Sequence, residues 1–484
     1  MAISASAVGR VTGITTKYFD NSAGTARFLP HSLVVLAQGR EGVSYSTART
    51  QIFSAVEAAD AYGYGSPVHL AAERLFPASG NGIGIPVYVH ALAASTTASA
   101  GTITPVADQT TARSYRVVVN GVATEWVALA ADANVAAFTA ALTTAINNKT
   151  NLPITAADGT TVVNVTAKWK GATGDDITLS VETSGTGAST FALVQPTGGA
   201  GVPSITTALS YIGDNWDTAI LNCLGEDSDT LDELNDYAIA RWETLVHKPL
   251  VAFYGDNETN VSTAITVPTA KRLQLGNAKL CAPGSAELPF VIGAAILREV
   301  LKQSNADPAR DYGSIAVTDL TPGAAADVWD YAKRETAVTG GVSTTLVRNG
   351  VVTIADVFTF YHPVGDDAPA YRKVCDIYKN ATYIYNLAAV FERPEWDGAP
   401  LLEDTDETVN PDAKKPKNAV TAVNNIQDAL GGAAILSRVK ETKKLTTATI
   451  AGPDRLQVNS KIILSGTTRI LDISHEFGFN FGGN

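Results

Sequence analysis

Cysteine is scarce in this chain. Cys223, Cys281 and Cys375 are the only three among 484 residues. An odd number at wide spacing excludes a disulfide framework and fits an intracellular protein with buried thiols. Long apolar runs are missing as well, and no stretch approaches the roughly 20 apolar residues that cross a bilayer. Met1-Ala2-Ile3-Ser4-Ala5 has no basic region followed by an apolar one, so no signal peptide is expected. Positive charge is in deficit, with 36 Lys and Arg against 48 Asp and Glu and a net charge of -12. That balance excludes a general nucleic-acid role, because neutralising phosphates needs clustered cations.

Chemistry-bearing motifs are also absent. The 6 histidines (His31, His69, His90, His247, His362, His475) are scattered, and none has the spacing of a zinc ligand set. His475-Glu476 lacks the second histidine of a metalloprotease helix. Gly63-Tyr64-Gly65-Ser66-Pro67-Val68 lacks a third glycine. Gly80-Asn81-Gly82-Ile83-Gly84 leads into a strand, whereas the dinucleotide fingerprint follows one. No phosphate loop and no nucleophile elbow occurs. Asp227-Ser228-Asp229 and Glu403-Asp404-Thr405-Asp406-Glu407 lack the spacing and the glycine of a calcium loop, and read as solvated acidic loops. No catalytic, cofactor-binding or metal-binding residue is assigned, and no cofactor is expected.

What is present is a globular composition, 45% apolar and 17% charged, in a chain long enough for two or more domains. The clearest stretch runs over residues 340–391. Arg348 and Val351 flank an Asn349-Gly350 pair, which predicts a two-residue type I′ hairpin, since both central residues need positive φ. A long helix over 371–391 follows, stopped by Pro394. A second such hairpin is predicted at Asn120-Gly121. Residues 32–37 and 85–92 read as strands around two short helices within 51–76, broken at 62–67, a crossover unit expected to be parallel. Strand–helix alternation resumes at 218–222. A capping box at Thr230-Leu231-Asp232-Glu233 is expected to open the next helix. Strands over 249–255 and 277–281 and a helix over 288–302 continue it. Small-residue linkers at 94–100 and 196–201 bracket a β-rich stretch, the signature of an insertion. Residues 401–417 read as a charged loop, 423–439 as a helix, and 455–464 and 470–479 as strands.

The expected fold is therefore α/β, with helices packed on a mixed sheet. It is divided into an N-terminal arm (1–24), a core (25–93 and 204–455), an inserted β-rich domain (94–203) and C-terminal strands and arm (456–484). Strand-prone ends must find a sheet edge, and a neighbouring subunit can supply one. Arg438, Lys440, Lys443 and Lys444 follow a helix and offer a basic contact to an acidic partner, or else form a solvated helix end.

Four segments together resemble the tail sheath proteins of contractile bacteriophages, closest to the Mu-like type. The first is Ala58-Ala59-Asp60-Ala61-Tyr62-Gly63-Tyr64-Gly65-Ser66-Pro67-Val68-His69-Leu70-Ala71-Ala72-Glu73 followed by Pro86-Val87-Tyr88-Val89. The second is Ala282-Pro283-Gly284-Ser285 with Ala294-Ala295 and, downstream, Asp307-Pro308-Ala309-Arg310. The third is Gly341-Val342-Ser343 through Asn349-Gly350 to Thr359-Phe360-Tyr361. The fourth is Asp454-Arg455-Leu456-Gln457-Val458 running into Ile470 to Phe479. The resemblance implies a structural subunit, not an enzyme, that polymerises as stacked hexameric rings around a tail tube and contracts to drive the tube through the host envelope. It implies that the inserted β-rich domain (94–203) is an outer domain facing outward, that Val11, Ile14, Ile470, Leu471, Ile473, Phe477 and Phe479 add strands to neighbours, and that the four basic residues face the tube. Partners would be the chain itself, the tail tube protein, and baseplate and tail terminator proteins, with no nucleic acid and no membrane. The protein would belong to the virion and assemble in the bacterial host cytoplasm. A sheath subunit of a contractile injection particle or bacteriocin, and more remotely an α/β enzyme with clustered groups at strand ends, are the alternatives.

Overall fold

The computed structural model describes residues 26–108, 110–184, 191–243, 246–366 and 370–469. Two units emerge: Pro30–Pro308 with Tyr312–Tyr378, and Met1–Leu29 with Ala309–Asp311 and Lys379–Asn484.

The first unit is built on a sheet whose central strand is β1 (Leu33–Gln38). All six of its residues are buried. Such a continuous apolar run is what a parallel strand covered on both faces requires. After β2 (Thr50–Ile52) come α1 (Ala55–Tyr62) and α2 (Pro67–Leu75), then β3 (Val87–Leu92). Ser54 caps α1 by accepting from the Glu57 N–H, and Ser66 caps α2 in the same way from His69, with Pro67 opening the helix. β3 lies parallel to β1, Leu33 beside Val87 through Gln38 beside Leu92, as the crossover expectation required. β2 is an antiparallel edge strand on β3, which the sequence reading did not anticipate.

The chain then forms β4 (Ala100–Pro105), β5 (Arg113–Val119), β6 (Val122–Ala123), β7 (Val127–Leu129), α3 (Val135–Asn148), β8 (Ile154–Asp158), β9 (Val163–Ala167), β10 (Leu179–Thr183) and β11 (Phe191–Thr197). These strands make two four-stranded antiparallel sheets. Tyr115, Phe138 and Phe191 meet edge-on between them, with ring centroids 5.1 to 6.0 Å apart. Their core is continuous with one face of the β1 sheet.

Beyond α4 (Thr206–Ser210) the chain returns to β1 on its other side. The elements are β12 (Ala219–Asn222), α5 (Ser228–Trp242), β13 (Val251–Asp256), α6 (Val261–Ala264), α7 (Thr266–Ala270), β14 (Asn277–Cys281), α8 (Pro289–Ala306), β15 (Ala316–Val317), α9 (Tyr331–Thr339), β16 (Val342–Ser343), β17 (Thr345–Arg348) and β18 (Val351–Ile354). The finished sheet has seven strands in the order β16-β14-β13-β12-β1-β3-β2. Leu33, Val35, Leu221 and Phe253 face α2 and α8. Val34, Leu36, Ile220 and Ala252 face α4 and α5. The fold is thus mixed α/β, with helices on both faces of a mixed sheet.

Local signals set most boundaries. Asn120 and Gly121 have φ of 45° and 78°, and Asn349 and Gly350 have 51° and 77°. Both expected hairpins therefore form. The expected capping box does not. Asp227 caps α5, its carboxylate accepting from the N–H and the hydroxyl of Thr230, so the helix starts earlier than Thr230. The Asp ahead of the Thr takes the cap: its charged carboxylate binds both the N–H and the hydroxyl of Thr230, which places Thr230 inside the first turn.

Gly255 fixes how β13 meets α8. A Cβ there would lie 1.8 Å from the Pro289 carbonyl oxygen and 2.4 Å from the Gly293 nitrogen. The helix start lies on the strand with no side chain between them. Gly255→Ala is expected to destabilise the protein by at least about 3 kcal/mol, measured by denaturant unfolding. A change below about 0.5 kcal/mol would show that this contact is not close.

The second unit is helical, with one hairpin. α10 (Val374–Phe391) passes into it, and is followed by α11 (Pro416–Gly432), α12 (Val439–Thr442), β19 (Thr447–Gly452) and β20 (Arg455–Asn459). Its small core gathers Tyr383, Ile426, Leu430, Ile435 and Leu436. α11 occupies 416–432, not 423–439. Pro416 supplies the ready-made first-turn φ, Asn418 accepts from the Lys415 N–H, and Ala434, left-handed at a φ of 58°, closes the helix end with the Ile435 N–H donating to Leu430 O at 2.9 Å. β20 stops at Asn459 rather than 464, and its partner β19 was not expected.

Candidate functional site

Two features stand out: a basic segment leading into the β19–β20 hairpin, and a charged cluster at the carboxyl ends of the central strands.

The basic segment begins at Arg438, whose φ of 51° turns the chain sharply after α11. A Cβ on Gly431 would meet Val439 Cγ2 at 2.6 Å, so the turn presses close to the helix. Gln427, fully buried, accepts from the Thr442 hydroxyl at 3.0 Å and donates to Thr446 Oγ1 at 3.3 Å. That bridge holds the segment against α11. Lys443 is paired with Asp428. Arg438, Lys440 and Lys444 are exposed. The structure thus presents three of the four basic side chains and ties down the fourth.

The hairpin follows directly. β19 and β20 pair antiparallel from Thr447 beside Asn459 to Gly452 beside Arg455. They form a two-stranded sheet with no third strand among the described residues. Exposure alternates along both, exposed then half-buried. The chain after β20 is anchored: Tyr383 and Ser460 share a 2.8 Å hydroxyl contact, Ser465 N–H donates to Ile435 O at 2.9 Å, and Arg469 pairs with Asp311 at 2.8 Å. Val11, Ile14, Ile470, Leu471, Ile473, Phe477 and Phe479 lie outside the described residues.

The charged cluster was not anticipated. Lys279, 1% exposed on β14, has its ammonium 2.7 Å from Asp256 Oδ2, donates to Ala264 O at 2.9 Å and pairs with Glu226. Tyr254 donates its hydroxyl to Glu226 at 3.2 Å. Burial works to lower the Lys279 pKa, but the charges of Asp256 and Glu226 prevail and raise it. Burial, then the charges of Asp256, Asp175 and Glu226, push Asp176 up to about 7. Asp176 is exposed to solvent, which screens these charges and weakens the push. The one sequence signal was a lysine inside the otherwise apolar strand end Ala278-Lys279-Leu280.

This cluster has little to work on. The adjoining crevice, lined by Thr173, Asp176, Asn222, Cys223 and Tyr254, has about 10 Å³ of free space. That is room for one water molecule, against the hundreds of Å³ of a small-molecule site. Burial raises the pKa of the Cys223 and Cys281 thiols, which removes them as nucleophiles. Among the described residues no His, Cys, Asp and Glu cluster could hold a metal ion. Of the two acidic motifs, Asp227 is spent capping α5. Asp404 accepts from the Lys417 N–H in the first turn of α11, and Asp406 accepts from the Glu403 N–H of its own loop.

Three histidines belong to the core. His31 bridges Thr218 Oγ1 and Ser304 Oγ, each at 2.9 Å. Burial lowers His31, His69 and His90 from 6.5 to about 4. A depressed pKa gives stability that is present above the unfolded value and lost as pH falls through the folded one. Thermal unfolding should therefore shift downward between pH 6.5 and about 4, each histidine contributing up to about 3 kcal/mol. His31→Gln should flatten that dependence while lowering stability at neutral pH. An unchanged pH slope would exclude His31 as a contributor.

Fold and site together define an α/β scaffold with appended antiparallel sheets and an exposed basic edge. No protein-family model matches the chain. Over 206 residues it is 28% identical to the Mu-like prophage FluMu tail sheath protein of Haemophilus influenzae, a match that spans 41% of this chain and 41% of that one. Among solved structures it is similar to the sheath tail protein of Desulfitobacterium hafniense, with a TM-score of 0.49, 10% identity, and 95% of this chain and 97% of that one covered. The sheath tail protein Lin1278 of Listeria innocua gives 0.48 at 10% identity, covering 92% and 94%. The contracted helical sheath of the anti-feeding prophage gives 0.47 at 10% identity, covering 97% and 99%. The curated relative is of the same Mu-like sheath type that the four sequence segments resemble, and it supports a contractile tail sheath protein.

Proposed function

We propose that this chain is the structural subunit of a contractile tail sheath, stacking as hexameric rings around a tail tube and shortening to drive the tube through the host envelope. The observation that carries this reading is the β19–β20 hairpin. Each of its strands has one unpaired edge among the described residues, and it is followed by strand-prone sequence at 470–479. Unpaired N–H and C=O groups recruit further strands, and main-chain hydrogen bonds tolerate rotation of the bodies they join. In this reading residues 1–24 and 456–484 are linking arms that use Val11, Ile14, Ile470, Leu471, Ile473, Phe477 and Phe479. Residues 94–203 form an outward inserted domain on a core of 25–93 and 204–455. The chain is not an enzyme. Its partners are copies of itself, the tube, and baseplate and terminator proteins, not nucleic acid or membrane. It functions in the virion after assembly in the host cytoplasm.

Energy for contraction would reside in a metastable extended lattice, released through better interfaces in the contracted one. Electron microscopy of the purified chain should show striated tubes or rings. Deleting 470–484 should leave a protein with an unchanged melting profile that no longer polymerises. Tubes formed by that truncated chain would refute the arm assignment.

The exposed Lys440 and Lys444, with Arg438 and Lys443, are assigned to the tube. The double variant Lys440→Glu, Lys444→Glu should still polymerise but lose most co-sedimentation with the tube protein. The wild-type contact should weaken as salt rises, because exposed charges are screened over about 8 Å at physiological ionic strength. Undiminished co-sedimentation would remove these residues from the contact.

A further inference from the structure

Three Asn-Gly pairs occur in the chain: Asn81-Gly82, Asn120-Gly121 and Asn349-Gly350. Two of them sit in the same two-residue turn, with positive φ at both positions. Their surroundings differ completely. Asn120 is 6% exposed. Its carboxamide N–H groups donate to Asp176 O at 3.2 Å and Ala286 O at 3.4 Å, and its oxygen accepts from the Thr178 N–H at 3.3 Å. A Cβ on Gly121 would already touch Ala286 Cβ at 3.1 Å. Asn349 is exposed at the tip of β17–β18, and its side chain meets no partner among the described residues. Nothing lies within 4 Å of where a Cβ on Gly350 would be.

We propose that Asn349 is a site of spontaneous deamidation, with water as co-reactant, and that the fold protects its twin Asn120. In the first step the Gly350 nitrogen attacks Asn349 Cγ. The new N–C bond forms, the Cγ–Nδ2 bond breaks, and ammonia leaves carrying the proton from the Gly350 amide. The product is a five-membered succinimide. Water then adds to either ring carbonyl and opens the ring to aspartate or isoaspartate, with no change of oxidation state. Attack requires the turn to open so that the nitrogen reaches Cγ. At Asn349 only the end of a hairpin need fray, beginning at the Arg348–Val351 pair. At Asn120 the same motion must break three hydrogen bonds and lift the turn from Ala286. Isoaspartate runs the main chain through Cβ, adding an atom to a two-residue turn that has no room for one in register.

Asn81 is an internal reference. It is exposed, but its oxygen accepts from Lys302 Nζ at 2.6 Å, so its carboxamide is held on one side only.

The test is incubation of the intact protein at mildly alkaline pH and physiological temperature, followed by chymotryptic peptide mapping by mass spectrometry with isoaspartyl methyltransferase labelling. Asn349 should convert about tenfold or more faster than Asn120, the ratio that a 1.4 kcal/mol difference in opening free energy gives. Asn81 should fall between them. In concentrated urea Asn120 should lose its protection and approach the Asn349 rate. The Asn349→Asp variant provides the product standard and should fold normally. Conversion of Asn120 as fast as Asn349 in the folded protein would overturn the proposal. So would an Asn349 that stays intact when folded and converts only in urea.

Discussion

A fully buried strand leaves no main-chain group to water, so both of its edges must be paired. β1 is such a strand, and the organisation of the first unit follows from that demand. One edge is met early, by β3 after a short helical crossover. The other waits for β12, more than a hundred residues later. The two antiparallel sheets occupy the interval, and they are tolerated because the chain leaves and re-enters on opposite sides of the same strand. Once β12 is in place, β13, β14 and β16 extend the sheet in chain order, each with its helices.

The parts of the fold governed by local physics were legible in the sequence. The Asn120-Gly121 and Asn349-Gly350 turns and the strands β1, β3 and β14 each have a short-range cause, and each formed. The parts governed by competition were not. Asp227 displaced Thr230 at the α5 cap because its carboxylate binds the N–H and the hydroxyl of Thr230 itself and draws that residue into the first turn. Pro416 and Asn418 started α11 ahead of its apolar stripe. β19 has little apolar patterning of its own, and it is defined by its partner.

The charged cluster shows the same limit at longer range. Lys279, Glu226 and Asp256 are separated in sequence and meet only because β12, β13 and β14 end side by side. A lysine in an apolar strand signals that a counter-charge exists, and not where. Of the basic segment, exposure at Arg438, Lys440 and Lys444 follows from the turn after α11. The tie between Lys443 and Asp428 depends on how that turn is pressed onto the helix.

The close approach of Gly255 and Gly293 has a mechanical corollary. Packed helices and sheets usually accommodate motion by small sliding displacements, with intervening side chains switching rotamers as a lubricating layer. Between β13 and α8 that layer is missing, because main chain rests on main chain. Shear at this junction would drive backbone atoms into one another before any rotamer could respond. The strand and the helix are therefore a single mechanical piece, and displacement of this part of the unit has to be taken up at its loops.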